Sequence, residues 1–187
     1  MNNYDVMMMK SEDIYKLMKI LTNIGWKSVR ETSINRIIYL SAVLYSFRYP
    51  DESNIFKEDY IFTITLSGPE DPDIENALVN LESNDVIAQS EEGYKVSGNV
   101  SFSFKAKQDL RKTEWFEDIA YIVGIYGEDK IYDFIFRDPE YREALQGNSI
   151  YNLNIGEDNT TVKFLNSFKM AFEEKLYNKE EIGRAHV

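Results

Sequence analysis

Residues 71–96 read DPDIENALVNLESNDVIAQSEEGYKV, and the order of elements in this stretch decides the fold. Asp71 followed by Pro72 is a good helix start. The carboxylate accepts from the free N–H groups of the first turn, and the proline ring presets φ where its missing N–H is not needed. Ile74, Leu78 and Leu81 then recur at helical spacing, so a helix is expected to run to about Asn84 with these three inward. Val86–Ser90 and Tyr94–Val96 flank Glu91-Glu92-Gly93, which predicts a β-hairpin. A helix leading directly into a two-stranded hairpin is the order of a winged helix.

Upstream, Tyr60-Ile61-Phe62-Thr63-Ile64-Thr65-Leu66 has strong strand character, and Gly68-Pro69 marks a turn after it. Residues 51–59 form a polar loop. Before it, Ile34, Ile37, Ile38, Leu40, Val43, Leu44, Tyr45 and Phe47 make a helix over 34–48 apolar nearly all round, which belongs at the centre of a core. Thr32 or Ser33 caps this helix and Pro50 ends it. Residues 11–24 predict an amphipathic helix. Ser11 caps it, Glu12 and Asp13 suit its positive end, Ile14, Leu17, Met18, Leu21 and Ile24 form its stripe, and Gly25 stops it.

Downstream, residues 98–112 form a connector that can carry a strand at Val100–Phe104. Trp115, Ile119, Ile122, Val123 and Tyr126 then form a helical stripe that ends at Gly127. A short helix is expected at 129–136, another behind Asp138-Pro139 at 139–145, and a last one at 161–177 presenting Leu165, Phe168 and Phe172. The expected fold is α+β and mostly helical: a winged-helix core over 1–100 with a small β-hairpin wing, and a helical extension over 101–180 packed on it. Ile37, Ile38, Leu44, Leu78, Leu81, Trp115, Ile119 and Ile122 are the expected core. Residues 181–187, EIGRAHV, read back in codons as GAG ATC GGA AGA GCA CAC GTC, a string common in sequencing adapters. They are expected to be a non-native tail, and His186, the only histidine, is foreign with them.

Composition narrows the function. The chain has no cysteine, which excludes disulfides and thiolate chemistry and suits the cytoplasm. Met1–Lys10 lacks the apolar core of a signal peptide, and no run approaches the roughly 18 apolar residues of a membrane span. A net charge of −11 makes a poor general ligand for nucleic acid or an anionic membrane. Catalysis has few parts to work with. There is no phosphate-binding glycine loop, and without cysteine or a native histidine neither a zinc site nor a histidine-based triad can be assembled. Glu128-Asp129-Lys130 and Glu173-Glu174-Lys175 each match the Glu-x-Lys half of a restriction-type nuclease site. Both fall on expected helices rather than paired strands, so they read as solvated surface. No enzyme, cofactor or metal site is expected.

The helix before the wing usually enters the DNA groove. Here that segment carries Glu70, Asp71, Asp73, Glu75, Glu82 and Asp85 and no Lys or Arg, so direct sequence-specific DNA binding is not expected. The cations gather elsewhere. Lys10, Lys16, Lys19, Lys27, Arg30 and Arg36 face three acids over residues 10–36, a net +3 in a chain of −11. This span is either an ordinary solvated helix face or a basic patch for an acidic partner surface, or for DNA held by another subunit. Phe116, Tyr132, Phe136 and Tyr141 lie off the main stripe or on the short helices after it. Left at the surface they are candidate partner contacts. One continuous core that buries all four is the other reading.

Ile37-Ile38-Tyr39-Leu40, then Leu66-Ser67-Gly68-Pro69, then Leu78…Leu81-Glu82…Val86-Ile87 resembles a layout found in two groups. One is the middle component of bacterial ABC-three-component (Lamassu-like) anti-phage defence systems. The other, to which the similarity is weaker, is the SocA-like (Panacea) antitoxin domain. Ile125-Tyr126-Gly127-Glu128-Asp129-Lys130-Ile131-Tyr132 and Asp138-Pro139-Glu140-Tyr141 look more like the middle components. The resemblance spans roughly residues 10–145. It implies a non-catalytic adaptor in a hetero-complex, bridging an SMC-like ABC ATPase and an effector, often a nuclease. The alternatives are an antitoxin or proteolysis adaptor that binds a toxin, and a winged-helix transcription regulator.

Overall fold

The computed structural model describes residues 3–97 and 107–147. Over these residues the chain is α+β and mostly helical. The elements are α1 (Asn3–Asn23), α2 (Glu31–Arg48), β1 (Thr63–Thr65), β2 (Gly68–Glu70), α3 (Pro72–Ser83), β3 (Ile87–Ser90), β4 (Gly93–Val96), α4 (Lys107–Tyr126), α5 (Glu128–Ile135) and α6 (Pro139–Gly147). The strand expected at Val100–Phe104, the helix expected at 161–177 with its Glu173-Glu174-Lys175, and the expected tail at 181–187 lie outside the described residues.

The all-round apolar helix is α2, and it is central. It touches β2, α4 and α5, and is buried continuously from Ser33 to Tyr45 except at Arg36. Around it, α1 packs on α3 and α4, and α6 lies against β1. All eight expected core residues are buried.

Both hairpins are antiparallel. In one, Thr63 faces Glu70, Ile64 faces Pro69 and Thr65 faces Gly68; in the other, Ile87 faces Val96 and Ser90 faces Gly93. The second hairpin is extended by one bridge. Val29, between α1 and α2, exchanges both backbone hydrogen bonds with Tyr94 at 2.9 Å each. Gly93 makes this possible: at φ +123, a Cβ there would lie 2.7 Å from the Val29 carbonyl oxygen. α3 starts as expected, with the Asp71 carboxylate accepting from the Asp73 N–H and Pro72 opening the helix.

Ile24 and Tyr126, the last positions of their expected stripes, are exposed rather than inward, and local readings fail in three further places. α1 begins at Asn3, so Ser11 is not a cap; its hydroxyl donates to the Met7 carbonyl one turn back. α2 begins at Glu31 without a side-chain cap, so neither Thr32 nor Ser33 serves. Gly68-Pro69 is not the turn but part of β2, and Leu66-Ser67 turns the chain. Proline is tolerated there because β2 pairs only with β1 and a two-stranded sheet is all edge. No described helix is long and apolar enough to cross a membrane.

Candidate interaction surface

The Leu66-Ser67 turn lacks the Asn-Gly chemistry of common tight hairpins and is held from outside itself. The Thr65 hydroxyl accepts from the Ser67 N–H and bonds the Gly68 carbonyl oxygen. Arg36, on α2, donates through Nη2 to the Ser67 carbonyl at 3.2 Å. Its guanidinium carbon stands 4.0 Å from the centre of the Tyr132 ring on α5, and its Nη1 lies 3.6 Å from Glu128 Oε1. Gly68, at φ +129, brings the backbone against this group: a Cβ there would be 3.1 Å from the Tyr132 hydroxyl. A turn braced from α2 by Arg36 therefore presents Leu66, which is 94% exposed.

Three of the four candidate contact aromatics meet beside this turn. The Tyr132 and Tyr141 hydroxyls are 2.9 Å apart, and Phe136 packs 6.3 Å from Tyr132 and 5.6 Å from Tyr141 between ring centres. Their exposure differs. Phe136 is 42% exposed and Tyr132 is half-buried. Tyr141 is buried against Tyr39, and burial with the Tyr132 hydroxyl bond drives its own hydroxyl far above the ordinary range. Phe116 is elsewhere, buried in the core against Phe56 at 5.7 Å. Phe116 and Tyr141 therefore have no surface to offer a partner in this conformation. Sequence reasoning missed Leu66. Its signal was a large apolar residue at the position where a two-residue turn falls, hidden by placing the turn at Gly68-Pro69.

The basic patch divides as well. Lys19, Lys27 and Arg30 are exposed. Lys10 is buried, with Nζ 2.9 Å from both Asp71 oxygens and 3.0 Å from Asp73. Lys16 lies along the core paired with Glu12 at 2.8 Å, and Arg36 is committed to the turn. So Lys10 is not a surface cation: α1 turns it inward because the Asp71 carboxylate needs a counter-charge.

A second buried group joins α1 to α4. Lys112 Nζ lies 2.8 Å from Asp13 and 2.8 Å from Asp59, and the Tyr60 hydroxyl donates to Asp13 at 3.1 Å. Tyr60's ring stands between the two lysines, 5.1 Å from Lys10 Nζ and 5.9 Å from Lys112 Nζ. Burial, then the nearby Asp13, holds the Tyr60 hydroxyl protonated well above its usual range.

The opposite character appears around the β3–β4 hairpin. The carboxyl of Glu31 is raised by burial and by Glu75 and Glu70. The Tyr94 hydroxyl is raised by burial and by Glu31, Glu82 and Glu75. These four glutamates, Glu31 at the start of α2, Glu70 on β2, and Glu75 and Glu82 on α3, form one acidic field. Glu128 of Glu128-Asp129-Lys130 faces Arg36 rather than a paired strand. Among the described residues no three of His, Cys, Asp and Glu gather as a metal site. Comparison with known protein families, curated proteins and solved structures finds no match for this chain.

Proposed function

We propose that this chain is a non-catalytic, cytoplasmic adaptor: an accessory subunit of an anti-phage defence complex, bridging an SMC-like ABC ATPase and an effector nuclease. The observation that carries an interaction role is Leu66, an almost fully exposed apolar side chain on a turn fixed from α2. Exposed apolar groups on rigid supports anchor interfaces, because little side-chain and backbone freedom is lost on docking. Tyr126 at the end of α4 and Phe136 between α5 and α6 are further exposed aromatics. The defence-complex assignment rests on the sequence resemblance.

The same reading takes the scaffold as a winged helix. Support comes from the order α1, the Val29 bridge, α2, α3, β3, β4, with the β1–β2 hairpin inserted before α3. A transcription regulator is disfavoured because the face that would meet DNA holds Glu31, Glu70, Glu75 and Glu82.

Co-expression with the product of a neighbouring SMC-like ATPase gene, followed by size-exclusion chromatography, tests the reading. Wild type co-elutes; Leu66→Asp, folded by circular dichroism, does not. A wild-type chain that elutes alone counts against the adaptor. Co-elution with a small toxin from an adjacent gene instead favours the antitoxin reading.

A further inference from the structure

Gly127 is the single residue between α4 and α5, and its φ of +78 turns the chain sharply there. Beyond it, α5 and α6 have eight and nine residues, too short to stay helical alone. They are held by packing on α2, α4 and β1. Tyr141 and Ala144 are buried against the core, and Tyr132 lies under Arg36. Glu128 faces Arg36 at a distance too long for a hydrogen bond. Arg36 Nε and Glu128 Oε1 are both shielded from solvent, and neither has a hydrogen-bond partner among the described residues.

The Arg36–Glu128 ion pair is long, and it leaves a shielded guanidinium N–H and a shielded carboxylate oxygen without hydrogen bonds, which makes it the weaker joint. The joint on the other side of Gly127 is strong. Lys112 has two carboxylates at 2.8 Å, and the Trp115 indole donates to the Ser41 carbonyl at 2.8 Å.

We propose that α5–α6 is a hinged flap that swings about Gly127 while α4 stays on the core, with the Arg36–Tyr132–Glu128 contact as its catch. Opening lifts Tyr141 off Tyr39, which itself packs on Phe62 at 5.4 Å between ring centres. It bares an apolar floor and frees Tyr132, Phe136 and Tyr141 together. A partner that binds this floor binds the open state and shifts the population toward it. This regulation rests on the adaptor reading, since the flap lies beside the turn that presents Leu66.

Amide hydrogen exchange on the full chain, without any partner, tests the flap. Residues 128–147 should exchange through an opening that leaves 108–126 protected. Arg36→Gln should speed exchange of 128–147 by about tenfold while α1–α4 change by less than about twofold. Glu128→Gln and Tyr132→Phe, milder changes, should speed the same segment selectively, and Arg36→Gln should also raise binding of the dye ANS. Protection of 128–147 equal to that of α2, or acceleration of all helices together in every variant, overturns the flap. Because no partner is present, that outcome is separate from a failed co-elution, which speaks to the adaptor reading.

Discussion

Lys112 on α4 and Asp13 on α1, 99 positions apart in sequence, meet at 2.8 Å in the interior. Asp59 holds the same ammonium at 2.8 Å, so the site has two carboxylates for one cation. Removing the cation strands both acids, and removing one acid does not strand the cation. Lys112→Met should therefore cost about 3–5 kcal/mol, while Asp13→Asn should stay within about 1 kcal/mol of wild type. Urea denaturation of the two variants checks the asymmetry; equal losses would mean that the two acids do not share the lysine.

The same group predicts a pH dependence. Burial raises the Asp13 carboxyl above its ordinary 3.8, and Lys112 and the Tyr60 hydroxyl only partly oppose this. Burial lowers the Lys112 ammonium, but the attraction of Asp13 and Asp59 outweighs it, so it stands above 10.5. In both cases the folded protein holds the proton more tightly than the unfolded chain. The associated stability is fully present below the unfolded value and is lost as pH rises through the folded one. For Asp13 that loss begins above 3.8 and for Lys112 above 10.5. Wild type should thus gain on Asp13→Asn as pH falls from about 7 to about 4. At alkaline pH, phenolate absorbance from Tyr60 should appear only with unfolding. A stability gap independent of pH would contradict the assigned proton.

Two substitutions probe the joint of α3 and its hairpin. Leu81 is buried on the inner face of α3, and Leu81→Ala should cost about 2–5 kcal/mol. Gly93→Ala should cost at least about 1 kcal/mol, because the added methyl meets the Val29 carbonyl and the residue must hold a positive φ. Thermal melts measure both. An unchanged melting temperature for Gly93→Ala would mean that the Val29–Tyr94 bridge is not held in solution.

Binding to duplex DNA should be weak. The purified chain should give no gel shift at physiological salt, and replacing Glu75 and Glu82 with Gln should leave sequence preference absent while modestly reducing repulsion. A tight, sequence-specific shift by wild type would restore the regulator reading.

What the sequence shows about this molecule depends on how local the cause is. α2 was legible because apolar residues on every face have one use, burial on all sides. The start of α3 was legible because Asp71 and Pro72 act within one turn. Lys10 and Lys112 were not, since their partners are 61 and 99 positions away and a lysine's own neighbours do not reveal which way it points. Phe116 read as off the stripe, yet Phe116, Ile119, Ala120 and Val123 form a second stripe beside the first. α4 is packed by both α1 and α2, and the small Ala120 was the available sign of this wider face. At the surface, Leu66 depended on where a turn fell, and a shift of two residues concealed it.

The clasp between α1 and α4 sets an order of events during synthesis. A ribosome releases Asp13, Asp59 and Tyr60 long before Lys112. Until α4 emerges, two interior carboxylates have no cation, and the Ser41 carbonyl lacks the Trp115 indole that bonds it. The first hundred residues, although they contain the hairpin and the central helix, are thus an unfinished core on the nascent chain. Closure waits for residues 112–123, and a chain stopped before them keeps both acids without the cation that pairs them.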